Sequence, residues 1–151
     1  MLGVPDAKIF ARPYQVPDIT ALLNQSDRAL PKPAHHPVFL YIGQLIPRKG
    51  LQQLLEGCRL LKEQGSPPYT LWVIGDGAQR QELQAFTQQH HLEEVVHWLG
   101  WVEYSQLGAY LQKADVFVFP TLEDIWGMVL LEAMAAHNVK RLVFSSTAAV
   151  Y

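Results

Sequence analysis

From residue 38 onward, short unbroken apolar runs alternate with longer stretches in which apolar residues return every three or four positions. The first kind suits a strand buried on both faces, the second an amphipathic helix. VFLYIG (38–43) is a run of β-branched and aromatic residues closed by glycine, and it predicts a central strand. After the turn QLIPRKG, the stretch LQQLLEGCRLLKEQG carries Leu51, Leu54, Leu55, Cys58 and Leu61 at helical spacing, with Gly65 as its stop. The pattern then repeats: a strand at YTLWVIG (69–75), a helix at AQRQELQAFTQQHH (78–91), a strand at VVHWLGWV (95–102), a helix at SQLGAYLQKA (105–114) and a strand at DVFVFP (115–120). TLEDIWGMVLLEAMAA (121–136) reads as a turn followed by a helix, and KRLVFSS (140–146) as a fifth strand.

Strands alternating with helices through short loops predict an α/β fold. The expectation is a Rossmann-like parallel sheet of about five strands with helices on both faces, in one domain spanning 38–151. Residues 1–37 differ in character, with Pro5, Pro13, Pro17, Pro31, Pro33 and Pro37 around one short helical pattern, DITALLNQ, that Asp18 could cap. They read as a linker or N-terminal extension. In a parallel sheet of this type ligands sit beyond the carboxyl ends of the strands, so the loops at 43–50, 75–78, 100–104 and 120–127 should share one rim.

Composition narrows the function classes. With 151 residues, a 49% apolar and 17% charged make-up and a net charge of −2, the chain has the balance of one globular domain and no basic field for nucleic acid. Its one cysteine, Cys58, excludes an internal disulfide. No apolar run reaches the ~18 residues of a spanning helix, and MLGVPDAKIF lacks the layout of a signal peptide, so the expected location is cytoplasmic. His35, His36, His90, His91 and His97, five of the six histidines, show no ligand spacing with Cys or acidic partners, and no metal is expected.

The candidate chemistry falls on the predicted rim. Arg48 and Lys49 lie at the expected start of a helix, directly after a central strand. Cations are unfavourable beside the exposed amides of a helix N-terminus unless an anion is bound, so the turn suits a diphosphate; a solvated basic turn would read the same. Gly43, Gly75 and Gly77 permit close backbone approach to a ligand or simply make tight turns. Asp124 would cap the last helix or face a ligand at its end. Glu132, set among Met128, Val129, Leu130, Leu131 and Met134, requires a partner, either a ligand hydroxyl or a structural one, because a lone buried carboxylate is costly.

Taken in order, FLYIGQLIPRKG, LWVIGDGAQRQEL, VVHWLGWV, KADVFVFP and TLEDIWGMVLLEAMA closely resemble the donor-binding half of retaining GT-B glycosyltransferases of the group-1 family, over residues 1 to about 135. The resemblance implies a nucleotide-sugar bound between two Rossmann-like domains, with no essential metal or other cofactor. By position it makes Lys49 the diphosphate-binding lysine, with Arg48 its neighbour, and it assigns Asp124 to the donor sugar and Glu132 to the ribose. It also places the backbone of Ile125, Trp126 and Gly127 at the phosphates, Val102 at the base, and Gly43, Gln44, Gly75 and Gly77 around the donor. Gln44 stands where the family often has Arg, and Asp124 where it has Glu. The family's acceptor-binding domain is the expected missing partner, with peripheral membrane association of the parent enzyme and self-association through the exposed face as further expectations.

The tail departs from this pattern. AHNVKRLVFSSTAAVY (136–151) resembles a strand of extended short-chain dehydrogenases, especially sugar-nucleotide epimerases, with Thr147 in place of the catalytic Ser or Thr. A junction of two Rossmann-type pieces is the expectation. Two other functions stay open: a non-catalytic module with a vestigial site, and a fragment of an NAD-dependent epimerase.

Overall fold

The computed structural model of the protein describes residues 30–123 and 142–144. Five strands, β1 (Val38–Ile42), β2 (Thr70–Ile74), β3 (Val96–Gly100), β4 (Val116–Phe119) and β5 (Leu142–Phe144), form one sheet in the order β3-β2-β1-β4-β5. Every neighbouring pair is parallel. Three helices connect them: α1 (Leu51–Glu63), α2 (Arg80–Gln89) and α3 (Tyr104–Lys113). The α/β reading of the sequence is therefore the observed architecture.

Strand alternation explains the layers. Val38 and Leu40 of β1 join Trp72 and Ile74 of β2 and Phe117 and Phe119 of β4 in one core with Leu107, Tyr110 and Leu111 of α3. The intervening residues, Tyr41, Leu71 and Val73, face the other side and meet Leu51, Leu55 and Cys58 of α1 and Leu83 of α2. Successive strand residues point to opposite faces, so a strand apolar at every position needs helices on both. Full burial of side chains such as Trp72, Phe117 and Leu40 contributes about 1.5–3 kcal/mol each relative to exposure.

The route of the chain fixes where a ligand can sit. From β1 it moves outward through β2 to β3, and then returns to the opposite side of β1 as β4. Strand order therefore reverses at β1, the kind of switch point beyond which ligands bind in open parallel sheets.

At the amino ends, residues ahead of β1 are pinned to the sheet. Thr70 Oγ1 donates to the His35 carbonyl at 2.8 Å and accepts the His35 amide at 2.9 Å. Asp115 Oδ2 accepts the Val38 amide at 2.7 Å and lies 2.9 Å from His36 Nδ1.

Two local readings of the sequence change. Arg48 and Lys49 do not begin α1; they lie in a separate 3-10 turn, Pro47–Lys49, and Gly50 intervenes before the helix. The third strand stops at Gly100 rather than at residue 102, because Gly100 has φ +70°, a left-handed conformation that ends the extended chain. Gly65 stops α1 as its sequence implies, with φ +66° just past the helix.

Candidate functional site

The loops at the carboxyl ends of β1, β2 and β3 are laced together by backbone hydrogen bonds. The Gly43 amide donates to Ile74 O at 3.0 Å, Leu45 to Asp76 O at 3.0 Å, Gln79 to Leu45 O at 2.9 Å and Gly75 to Gly100 O at 2.9 Å. Tyr41 adds its hydroxyl, which donates to the Gln44 carbonyl at 2.9 Å. Burial pushes the Tyr41 phenol far above its ordinary pKa, so it stays neutral as the donor of this bond. The rim is rigid by construction.

These loops enclose a cleft of about 340 Å³ lined by Gly43, Gln44, Gly75, Asp76, Trp101 and Tyr104, with Ile42, Ile74, Val102 and Leu107 beneath. Its walls are largely apolar, as ligand pockets usually are. Trp101 is 74% exposed and Tyr104 42%, unusual for aromatic rings in so small a domain. Val102 is buried and belongs to the core cluster beneath the cleft. Gly77 lies beside the cleft, its amide donating to Asp76 Oδ1 at 2.8 Å, while Asp76 Oδ2 pairs with Arg80 at 3.0 Å. A somewhat larger cavity, about 380 Å³, lies at the amino ends of the strands among Lys32, His36, Trp72 and Lys113. It is on the wrong side of the sheet for the loops that carry the motifs.

The basic turn lies against the chain leaving β4. The Arg48 carbonyl accepts the Leu122 amide at 2.8 Å, the Glu123 amide at 3.2 Å and the Thr121 hydroxyl at 3.1 Å. Gly50 lies under the same segment; with φ +70°, it leaves no room for a side chain, since a Cβ there would stand 1.9 Å from the Pro120 carbonyl oxygen. The Arg48 side chain is exposed and Lys49 half-buried.

The structure thus brings Gly43, Gln44, Gly75 and Val102 into one cleft, sets Gly77 at its edge, and joins Arg48 and Lys49 to the exit of β4. Asp124, Ile125, Trp126, Gly127 and Glu132 lie outside the described residues. Trp101 and Tyr104 fall in the 100–104 loop that the sequence places on the rim, but neither was singled out there; for Trp101, read also as the end of a strand, the glycine just ahead of it was the available signal. Among the described residues, no group of three or more His, Cys, Asp or Glu could hold a metal ion. None of their helices is long and apolar enough to cross a membrane.

Residues 24–139 match the family model described as glycosyl transferases group 1. The chain belongs to this family. Among the relatives of this group-1 glycosyltransferase domain, the putative colanic acid biosynthesis glycosyltransferase WcaL of Escherichia coli is 32% identical over 140 residues, covering 89% of this chain and 33% of that protein. Sucrose-phosphate synthase from Thermosynechococcus elongatus superposes with a TM-score of 0.59 at 29% identity, over 82% of this chain and 30% of its own. The lipopolysaccharide outer core galactosyltransferase WaaB, in its apo form, gives 0.58 at 27% identity, over 70% and 29%. These likenesses establish a GT-B-type domain. The chain spans between 26% and 33% of the length of the first curated relatives it matches.

Proposed function

We propose that the chain is the donor-binding domain of a retaining glycosyltransferase that transfers a hexose from a nucleoside diphosphate sugar to an acceptor. Residues 38–151 form the domain and 1–37 lead into it. The observation that carries this reading is the shared rim, where an aromatic-edged apolar cleft and a basic turn both open at the carboxyl ends of the strands. A nucleotide needs both halves: the base takes the cleft beside Trp101 and Val102, and the diphosphate lies toward Arg48 and Lys49 beside the chain leaving β4.

In this reading the bond between the anomeric carbon and the diphosphate oxygen breaks, and its electron pair leaves with the diphosphate. Lys49, Arg48 and the backbone at Ile125, Trp126 and Gly127 stabilise that growing charge, so a metal is not required. Asp124 orients the sugar and Glu132 holds the ribose. The acceptor oxygen bonds to the anomeric carbon and releases its proton. The galactosyltransferase name of one relative supports a hexose as the transferred group. An acceptor-binding domain completes the parent enzyme, and the chain by itself binds donor weakly and transfers little. The tail, 136–151, is read as an epimerase-like strand joined to the family domain.

Gln44 at the cleft favours a second reading, a folded module whose site has lost its catalytic role, because a neutral amide does little for a diphosphate leaving group. Calorimetric titration with UDP-, GDP- and ADP-sugars separates the two. Heat with one donor supports the donor domain; no heat with any of them, in a folded sample, supports the vestigial module.

A further inference from the structure

Thr121, two residues beyond β4, is a polar residue with a relative exposure of only 2%. Its hydroxyl lies 3.1 Å from the Arg48 carbonyl and 3.0 Å from the Glu123 carbonyl. A hydroxyl has one proton, so it is shared between these two acceptors. One acceptor belongs to the basic turn after β1, the other to the chain leaving β4. The Leu122 and Glu123 amides close on the same Arg48 carbonyl, and the turn has a second fixed point in the Gly50 amide, which donates to Pro47 O at 3.1 Å.

We infer that Thr121 is a positioning residue for the diphosphate: together with the Leu122 and Glu123 amides it clasps the Arg48–Lys49 turn to the chain leaving β4, so that the cations of that turn are held in fixed register. The inference rests on the donor-site reading above and deepens it. A charged side chain at the end of a mobile turn would lose conformational entropy on meeting a phosphate. A turn whose own backbone is already tied to the neighbouring strand has less to lose, and this is preorganisation in the ordinary sense. The cleft beside Trp101 is lined by residues other than the 47–49 turn, and its Gly43 and Gln44 are held by their own hydrogen bonds to Ile74 and Tyr41. Binding of the base and binding of the diphosphate should therefore respond differently to its loss.

The test compares wild type with Thr121→Val, which keeps the shape and removes the donor, and with Thr121→Ser, which restores the donor. Affinities for UDP, GDP and ADP and for the corresponding nucleosides are measured by calorimetry, and amide exchange is followed at Lys49, Leu122 and Glu123. In Thr121→Val the diphosphate affinity should fall about ten-fold, the scale of one buried hydrogen bond. Nucleoside affinity should stay within about two-fold, since a rim that keeps its shape keeps its base contacts. Amide protection at the three positions should drop, and Thr121→Ser should recover both. Equal losses for nucleoside and diphosphate would make Thr121 a general structural residue and overturn the inference, as would unchanged amide protection in Thr121→Val. A wild type that binds none of the nucleotides overturns the donor-site reading and with it the ligand half of the inference, while the exchange data still decide whether the clasp exists.

Discussion

The carbonyl oxygen of Pro120 occupies the space where a Cβ on residue 50 would have to be, 1.9 Å from its ideal position. Gly50 and Pro120 stand at the exits of β1 and β4, the two strands between which strand order reverses. Their approach lets the basic turn lie against the chain leaving β4. Gly50→Ala meets two costs, a left-handed φ worth about 1–2 kcal/mol for a residue with a Cβ and a clash with backbone that cannot swing away. A loss of at least about 2 kcal/mol in urea denaturation is expected.

Gly57 should behave in the opposite way. It lies inside α1, and a Cβ there would meet nothing within 4 Å. Alanine removes the entropic cost of glycine in a helix interior, and Gly57→Ala should stabilise the fold by about 0.5–1 kcal/mol. The same urea titration reads both glycines, so each controls for the other.

The third expectation concerns acid. Partial burial of Asp115 pushes its pKa upward, but the Val38 amide and the His36 ring outweigh this and hold the carboxyl below its usual range. A group whose folded pKa lies below its unfolded value stabilises the protein above that unfolded value, about 3.9 for aspartate. The stabilisation disappears as pH falls through the lower, folded value. Asp115→Asn should therefore lower Tm at neutral pH. The gap to wild type should close as pH falls through that lower, folded value and, the side chain being half exposed, stay under about 1 kcal/mol throughout.

Trp101 gives a fourth. Its ring is exposed at the edge of the cleft, so replacing it should cost the fold little. If a base stacks there, Trp101→Ala should weaken nucleotide binding about ten-fold, the scale of one base–aromatic contact, and Trp101→Phe should keep most of the affinity. Nucleotide-induced quenching of tryptophan fluorescence should shrink in both variants. Unchanged affinity in Trp101→Ala would remove the ring from the site.

The strands of this protein were legible because a strand buried on both faces is apolar along its length, as VFLYI is throughout and TLWVI is after Thr70. The helices were legible because only one stripe of each is covered: Leu51, Leu55 and Cys58 of α1 are buried as the spacing implies, although Leu61, counted in the same stripe, is substantially exposed. The clasp was not legible, since Thr121 and Arg48 are 73 residues apart and a hydrogen bond at that distance leaves no local pattern. Trp101 was misread for a related reason: an apolar residue after VHWLG continues the strand pattern, and only the left-handed Gly100 turns the ring outward. Of the predicted site, Gly43, Gln44, Gly75 and Val102 share the cleft. The motif residues Asp124 and Glu132 lie outside the described part of the chain.

The central claim, that this rim holds a nucleoside diphosphate with its charge toward the turn after β1, is tested most directly by calorimetric titration of UDP, GDP and ADP into wild type and Lys49→Ala. Binding of at least one nucleotide to wild type, weakened about ten-fold or more in Lys49→Ala while the matching nucleoside binds both proteins equally, is the predicted result. Equal diphosphate affinity in the two proteins, or no binding to folded wild type, would contradict it.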